Sequence, residues 1–303
     1  MRIGILYSRL RVEEKWLFAA LDERDIEYDR LLDREVTFDL TAADDWQRYD
    51  AVIIRSLSTS RGLYAGQALN SIGVPTINPY AVAAVCSDKV STTTTLTRAG
   101  LPQPRTRLAF TAEAALAVGE ELGYPYVVKP VVGSWGRLVN RINDRDAAEA
   151  VFEHREVLGR FQHHLYYIQE LIEKPGRDIR AFVIGDQTPV AIYRHSEHWL
   201  TNTARGATAS ECTVTPDLHQ LCQRATQAVG GGVLAIDLLE DPERGLLINE
   251  INHTMEFHST VPLTGVDLPG MIVDHTLATC RLQVKNSLSS SQLSSSETSD
   301  PGP

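Results

Sequence analysis

The chain has no long apolar run. Its longest, such as Ala51 to Ile54, are strand-sized and fall far short of the roughly 20 residues that cross a bilayer as a helix. No membrane partner is expected. Nor does a secretory leader open it, since Met1-Arg2-Ile3-Gly4-Ile5-Leu6-Tyr7 is too short for a signal core and leads into charged sequence. Cysteine is scarce: Cys86, Cys212, Cys222 and Cys280 are dispersed and form no C-x-x-C pair. That speaks against a disulfide framework and fits a reduced, cytoplasmic setting. The chain also lacks a basic surplus. With 29 Lys and Arg against 39 Asp and Glu, its net charge of −10 argues against broad nucleic-acid binding, which needs a basic surface. A local patch is still open to it, because Arg177, Arg180, Arg194 and Arg205 cluster in one polar segment and can receive an anion. Two tempting motifs fail on spacing. His195-Ser196-Glu197-His198 lacks the pattern of a zinc helix, and no Ser-His-Asp arrangement can be argued.

What is present is ordinary globular composition, 43% hydrophobic and 22% charged over 303 residues, enough for two or three compact lobes. Apolar runs and helical periodicity alternate at the start. Strands are expected at Arg2 to Tyr7 and Ala51 to Ile54, with helices from Val12 to about Arg24 and from about Leu63 to Ile72. Gly73 to Asn78 supplies a turn and a short strand. Alternation of this kind predicts a parallel α/β sheet over residues 1–87. An α+β lobe is expected over 88–170. It holds helices at Asp88 to Ala99, Thr111 to Leu122 and Asp144 to His154, and strands at Tyr126 to Lys129, Leu138 to Ile142 and Tyr166 to Leu171. A second, over 171–285, carries strands at Ile179 to Ile184, Val190 to Tyr193, Gly232 to Leu239 and Leu246 to Ile251, with a long polar loop after Tyr193. Its helices are expected at Pro216 to Val229 and Pro269 to Leu282. Residues 286–303 are Ser-rich and nearly free of apolar side chains, which predicts a disordered tail.

Several residues carry chemistry. Lys89 opens a helix and Lys129 closes an apolar strand, where a lysine needs either an anion or a route for its stem to solvent. Gly133-Ser134-Trp135-Gly136-Arg137 follows directly. Its glycines permit close backbone approach to phosphate oxygens, although the spacing is neither a Walker loop nor a dinucleotide fingerprint. The third signal lies in two late strands. Asp237 stands alone in Leu234-Ala235-Ile236-Asp237-Leu238-Leu239, while Glu250 and Asn252 sit two apart and so face the same side. If those strands pair, three oxygen ligands meet, which is the preference of magnesium bridging phosphates.

In this order, Lys89, Lys129, the glycine loop, Gln169-Glu170-Leu171-Ile172 and the Asp237/Glu250/Asn252 trio resemble the ATP-grasp superfamily, specifically its RimK-like branch. Within it the likeness is greatest to LysX-type ligases. The segments that carry it are Val128 to Arg137, Tyr167 to Glu170, Lys174 to Arg180, Asn202-Thr203-Ala204-Arg205-Gly206 and Asn249 to Phe257. The resemblance covers roughly residues 1–282 and implies an ATP-grasp fold, with an N-terminal parallel-sheet lobe followed by two α+β lobes that clamp ATP. It implies that Lys89 and Lys129 hold ATP phosphates, that the loop Gly133, Ser134, Trp135, Gly136, Arg137 closes over them, and that Arg180 also belongs to the cofactor-binding residues. Gln169, Glu170, Leu171 and Ile172 would read adenine, and Asp178 the ribose hydroxyls. Asp237, Glu250 and Asn252 would hold magnesium, as two ions. Asn202 and Arg205 would approach the γ-phosphate and the reacting carboxylate. Arg194 with His253, Thr254, Met255, Glu256 and Phe257 would shape the amino-acid site.

The activity implied is ATP-dependent formation of an acyl phosphate and its capture by an amine. In LysX-type enzymes the carboxylate is the terminal glutamate side chain of a small acidic carrier protein, LysW, and the amine belongs to 2-aminoadipate, for lysine biosynthesis. Relatives attach glutamate for arginine biosynthesis, serve both pathways, or add glutamate to other proteins. A nucleotide-binding regulatory module without catalysis is the reading from another class. Homodimers or tetramers are common in such ligases. One departure stands out: Ala207 occupies a position where LysX-type sequences commonly carry a second glycine.

Overall fold

The computed structural model describes residues 1–42, 45–133, 136–159, 161–201 and 206–296. By internal contacts the chain forms two units, one of Met1–Tyr80, Glu256–His258 and the segment from Asp267, the other of Ala81–Met255 and Ser259–Val266.

The first unit is built on β1 (Arg2–Tyr7), α1 (Val12–Asp22), β2 (Glu27–Leu32), β3 (Ala51–Arg55), α2 (Thr59–Ser71) and β4 (Thr76–Ile77). The strands form a parallel sheet in the order β2-β1-β3-β4. Five consecutive residues of β1 are buried, as a central parallel strand covered on both faces requires. At the start of α1 the Glu14 carboxylate turns back to accept from the Arg11 backbone N–H at 2.9 Å, satisfying one otherwise unpaired end group. Strand β2 was not expected, because Glu27-Tyr28-Asp29-Arg30-Leu31-Leu32 is half exposed and pairs only with β1.

Helix α3 (Tyr80–Ser87) leads into the second unit, where α4 (Lys89–Arg98) is capped by Asp88 accepting from the Ser91 N–H at 2.7 Å. An antiparallel sheet follows, ordered β5-β8-β6-β7, from β5 (Thr106–Ala109), β6 (Tyr126–Lys129), β7 (Asn140–Ile142) and β8 (Tyr166–Glu170). Helices α5 (Ala112–Leu122) and α6 (Arg145–Leu158) cover one face, burying Tyr126, Val128, Phe152, Tyr166 and Ile168. Strand alternation therefore turns Lys129, Tyr167 and Gln169 to the other face. Gly119 permits this close helix contact: a Cβ there would lie 2.5 to 2.8 Å from the Tyr126 ring, which is fully buried. Gly119→Ala is expected to lower stability by about 1–3 kcal/mol through overpacking, outweighing a helix-propensity gain of about 1 kcal/mol. An unchanged or higher midpoint in urea would contradict this.

A five-stranded antiparallel sheet, ordered β11-β10-β9-β12-β13, completes the second unit. Its strands are β9 (Arg177–Ile184), β10 (Gln187–His195), β11 (Thr208–Cys212), β12 (Val233–Asp241) and β13 (Gly245–Asn252). Helix α7 (Pro216–Val229) packs Leu218, Cys222, Ala225 and Val229 into its core. The polar loop expected after Tyr193 is shorter than the sequence suggests, because β10 runs on to His195 and β11 pairs with it from Thr208. Short α8 (Thr260–Thr264) precedes α9, which spans Leu268–Ser296 and packs on α1. Residues 286–296 are thus helical where composition predicts disorder. Once an anchored helix exists, adding residues is far cheaper than nucleating a new one. The rest of the expected tail lies outside the described residues.

Candidate active site

Lys129 ends β6 on the sheet face away from the helices and is only 9% exposed. Its ammonium donates to Gln169 Oε1 at 2.5 Å and Asn249 Oδ1 at 2.8 Å. Burial pushes its pKa down to about 8 against the pull of Glu250, and Lys89 and Lys174 add to the fall. Lys89, the first residue of α4, donates to the Gly133 carbonyl at 2.9 Å and lies 3.8 Å from the Glu250 carboxylate. Lys89 thus approaches one carboxylate and the start of the glycine loop, while Lys129, held by two amide oxygens, lies within the same field of charge. Such a concentration of positive charge needs an anion. Gly133 and Gly136 both hold positive φ, 155° and 64°, conformations that side-chain-bearing residues rarely adopt. Ser134 and Trp135 lie outside the described residues, as do Asn202 and Arg205.

Asn249 is a contact that residue alternation does not reveal. Asp237 pairs with Glu250 and Leu238 with Ile248, so Asn249 is the extra residue of a β-bulge. The irregularity puts two adjacent polar residues, Asn249 and Glu250, within reach of Lys129 and Lys89 respectively.

The expected ligand trio does share two paired strands. Asp237 and Glu250 are direct register partners, and Asn252 approaches Asp237 with its amide nitrogen 3.5 Å from Oδ2. Among the described residues no group of three or more His, Cys, Asp or Glu forms a metal cluster. The donor set is therefore two carboxylates and an amide oxygen, hard ligands that fit magnesium when phosphates and water complete the shell. Asp237 is not idle meanwhile. It accepts from Arg180 Nε and Nη2 at 2.8 and 2.9 Å, and Arg194 Nη2 stands 3.2 Å away. Burial alone would raise the Asp237 pKa, but the two guanidinium groups hold it at about 2.

Arg194 and Asp178 differ most from expectation. Arg194 is 3% exposed and forms a two-pronged pair with Asp178, at 2.7 and 2.9 Å. Asp178 also accepts from the Thr201 hydroxyl, with Lys174 Nζ 3.6 Å away. An aspartate expected to meet ribose hydroxyls is here buried and occupied by cations. Burial lowers the Lys174 pKa, with Asp178 opposing, and Lys174 was not anticipated from the sequence. The hinge residues use their side chains locally. Gln169 contacts Lys129 and Thr106, Glu170 binds Arg105 and Arg244, and Ile172 packs with Leu239 and Leu247. The Glu170 backbone N–H donates to the Arg105 carbonyl at 2.9 Å, and the Ile172 carbonyl accepts from the Lys174 N–H at 3.0 Å. Leu171 is only partly buried beside them.

The segment expected to shape the amino-acid site divides between the units. His253, Thr254 and Met255 belong to the second, where burial drives the His253 pKa down to about 4. Glu256 and Phe257 belong to the first, where Glu256 accepts from Arg11 at 3.1 Å and Arg55 lies 5.4 Å over the Phe257 ring.

Comparison with known proteins places this arrangement in a family. Residues 3–85 match the LysX preATP-grasp domain and residues 86–276 the RimK-like ATP-grasp domain. The chain is 38% identical to the alpha-aminoadipate–LysW ligase LysX of Saccharolobus solfataricus, over 74% of this chain and 82% of that one. It is 36% identical to the glutamate–LysW ligase ArgX of Sulfurisphaera tokodaii, over 91% and 98% respectively. A solved RimK domain ATP-grasp protein from Sphaerobacter thermophilus superposes with a TM-score of 0.78 at 29% identity, covering 91% of this chain and 99% of that one. Among the described residues, no helix is long and apolar enough to cross a membrane. By these matches the chain belongs to the RimK-like ATP-grasp family of ligases.

Proposed function

We propose that the chain joins the amino group of 2-aminoadipate to the terminal glutamate side chain of a LysW-type carrier protein, in the cytoplasm, at the expense of ATP. The observation that carries this reading is 36–38% identity to LysW ligases spanning most of the chain. The placement of Lys129 on Asn249 and of Lys89 beside Glu250 supports it. The lobes acting in this scheme are 1–87, 88–170 and 171–285. Glutamate is the alternative amine, favoured by the similarity to ArgX proteins at 35–36% identity.

In this scheme Lys89 and Lys129 neutralise the phosphates, with Arg180 beside them, and the Gly133–Arg137 loop covers the transferring group. Backbone groups of Gln169–Ile172 take the adenine edge. Asp237, Glu250 and Asn252 would hold magnesium, as two ions, which would supply charge neutralisation for phosphoryl transfer. Asn202 and Arg205 face the γ-phosphate and the carboxylate. Phosphorylation turns a poor electrophile into one with a good leaving group, and exclusion of water preserves the acyl phosphate until the amine attacks. Asp178 serves by orienting Arg194 and Lys174 rather than by meeting ribose. Arg194, His253, Thr254 and Met255 then act on the amino acid within the second unit; the further candidates Glu256 and Phe257 belong to the first.

A mixture of 2-aminoadipate and glutamate at equal concentration, with carrier, ATP and magnesium, tests the choice of amine by intact mass. A gain matching 2-aminoadipate supports the proposal, a gain matching glutamate shifts it to the alternative, and no gain removes the carrier-ligase reading. The lysine pair makes a pH prediction as well. Because burial brings the Lys129 pKa down to about 8, kcat/KM for ATP is expected to fall as pH rises through that value and the amine loses its charge. The fall should vanish in Lys129→Arg, whose charge persists. A wild-type profile with no break between pH 7 and 9 would contradict the assignment.

A further inference from the structure

Helix α6 carries a buried charge that the ligase site does not use. Arg155, in its last turn, is 8% exposed, and its Nη1 atom is closed to solvent with no hydrogen-bond partner among the described residues. Its guanidinium lies 5.9 Å from the Tyr166 ring centroid, at the outer limit of a cation–π contact. The Tyr166 hydroxyl is likewise buried, with Glu156 the carboxylate acting on it most. Burial lowers the Arg155 pKa and Tyr166 alone opposes it, whereas Glu156 and Glu113 act on Tyr166 instead. A buried guanidinium with no counter-charge costs several kcal/mol in general, so a protein that keeps one has a use for it or a partner to bring.

A cavity of about 440 Å³ opens beside it, lined by Leu138, Asn140, Val151, His154, Arg155 and Leu158 among others. Its walls are mostly apolar, while one cation stands in them. That is the composition of a small-molecule site rather than of a packing defect, which would be apolar throughout. It is also separate from the nucleotide residues. Tyr166 and Phe152 belong to the helix-covered face of the β5-β8-β6-β7 sheet, whereas Lys129 and Gln169 lie on the opposite face.

We propose that this cavity is a binding site for a small carboxylate with an aliphatic body, its charge paired with Arg155 and its chain laid against Leu138, Val151 and Leu158. The carboxylate supplies the missing counter-ion, and guanidinium is the cation best matched to it in geometry. Apolar burial supplies the rest of the affinity.

Titration calorimetry of the full chain with octanoate tests this, with octylamine and inorganic phosphate as controls. Octanoate is expected to bind, octylamine and phosphate not. Arg155→Met should weaken octanoate at least tenfold and, by removing an uncompensated charge, leave the thermal midpoint equal or higher. Ala150→Trp, at an exposed position on the cavity wall, keeps the charge and should block octanoate by filling the space. Saturating ATP with magnesium should leave octanoate affinity unchanged. Octanoate binding absent in wild type, or undiminished in both variants, would overturn the proposal. So would a lower midpoint for Arg155→Met, which would mark the arginine as purely structural.

Discussion

Arg194→Met is expected to cost about 3–5 kcal/mol of unfolding free energy, the range found when one partner of a buried ion pair is removed. The side chain is only 3% exposed, and it pairs with Asp178 at 2.7 and 2.9 Å while standing 3.2 Å from Asp237. Methionine fills similar space but leaves two buried carboxylates with one cation fewer. Arg180 still compensates Asp237, whereas Asp178 keeps only Thr201 and Lys174, the latter 3.6 Å away. Adding Asp178→Asn should therefore restore part of the loss, because the neutral amide needs no counter-charge. Urea unfolding of the wild type and the two variants measures this. A single-variant loss below about 1 kcal/mol would match an exposed pair and contradict the buried network.

Arg180→Met is expected to tighten divalent-metal binding in the absence of nucleotide by roughly 10- to 100-fold. The argument is competition. The Arg180 guanidinium takes both Asp237 oxygens, at 2.8 and 2.9 Å. A metal arriving at Asp237 must displace it, and hydrogen bonds to charged groups are worth about 1.5–3 kcal/mol, which converts to that factor. Mn²⁺ as a paramagnetic reporter reads the affinity directly, without turnover. Unchanged or weaker binding in the variant would mean that Arg180 does not guard the carboxylate. Glu250→Gln serves as the opposite control, since it removes a ligand and should weaken Mn²⁺ binding.

Much of the fold was legible because burial writes itself into sequence. Strands β1, β3 and β6 are short apolar runs, and α5 carries its own cap at Thr111, which accepts from the Ala114 N–H at 3.1 Å. The unexpected strands β2, β5 and β11 are all sheet edges, half exposed and paired on one side, so their residues lack the apolar pattern. The return of the chain to the first unit at Glu256–His258, and again from Asp267, leaves no local mark at all.

The site divides along the same line. Alternation was enough to bring Glu250 and Asn252 to one face, and pairing brought Asp237 opposite Glu250. It could not show Asn249, because a bulge breaks the two-residue period on which the reading depends. Nor could it show that Arg180 and Arg194 would spend their charge on Asp237 and Asp178. Arg180 and Asp237 are 57 residues apart in the chain, and only the β9–β12 register brings them together.

The central claim is that a carrier carboxylate is activated as an acyl phosphate at the Lys89, Lys129 and Asp237/Glu250/Asn252 site. Omitting the amino acid and adding hydroxylamine, with carrier, ATP and magnesium present, tests it most directly. Carrier hydroxamate and ADP are predicted in equal amounts, both lost in Glu250→Gln. Release of AMP and pyrophosphate instead, or hydroxamate formation undiminished in that variant, would contradict the account.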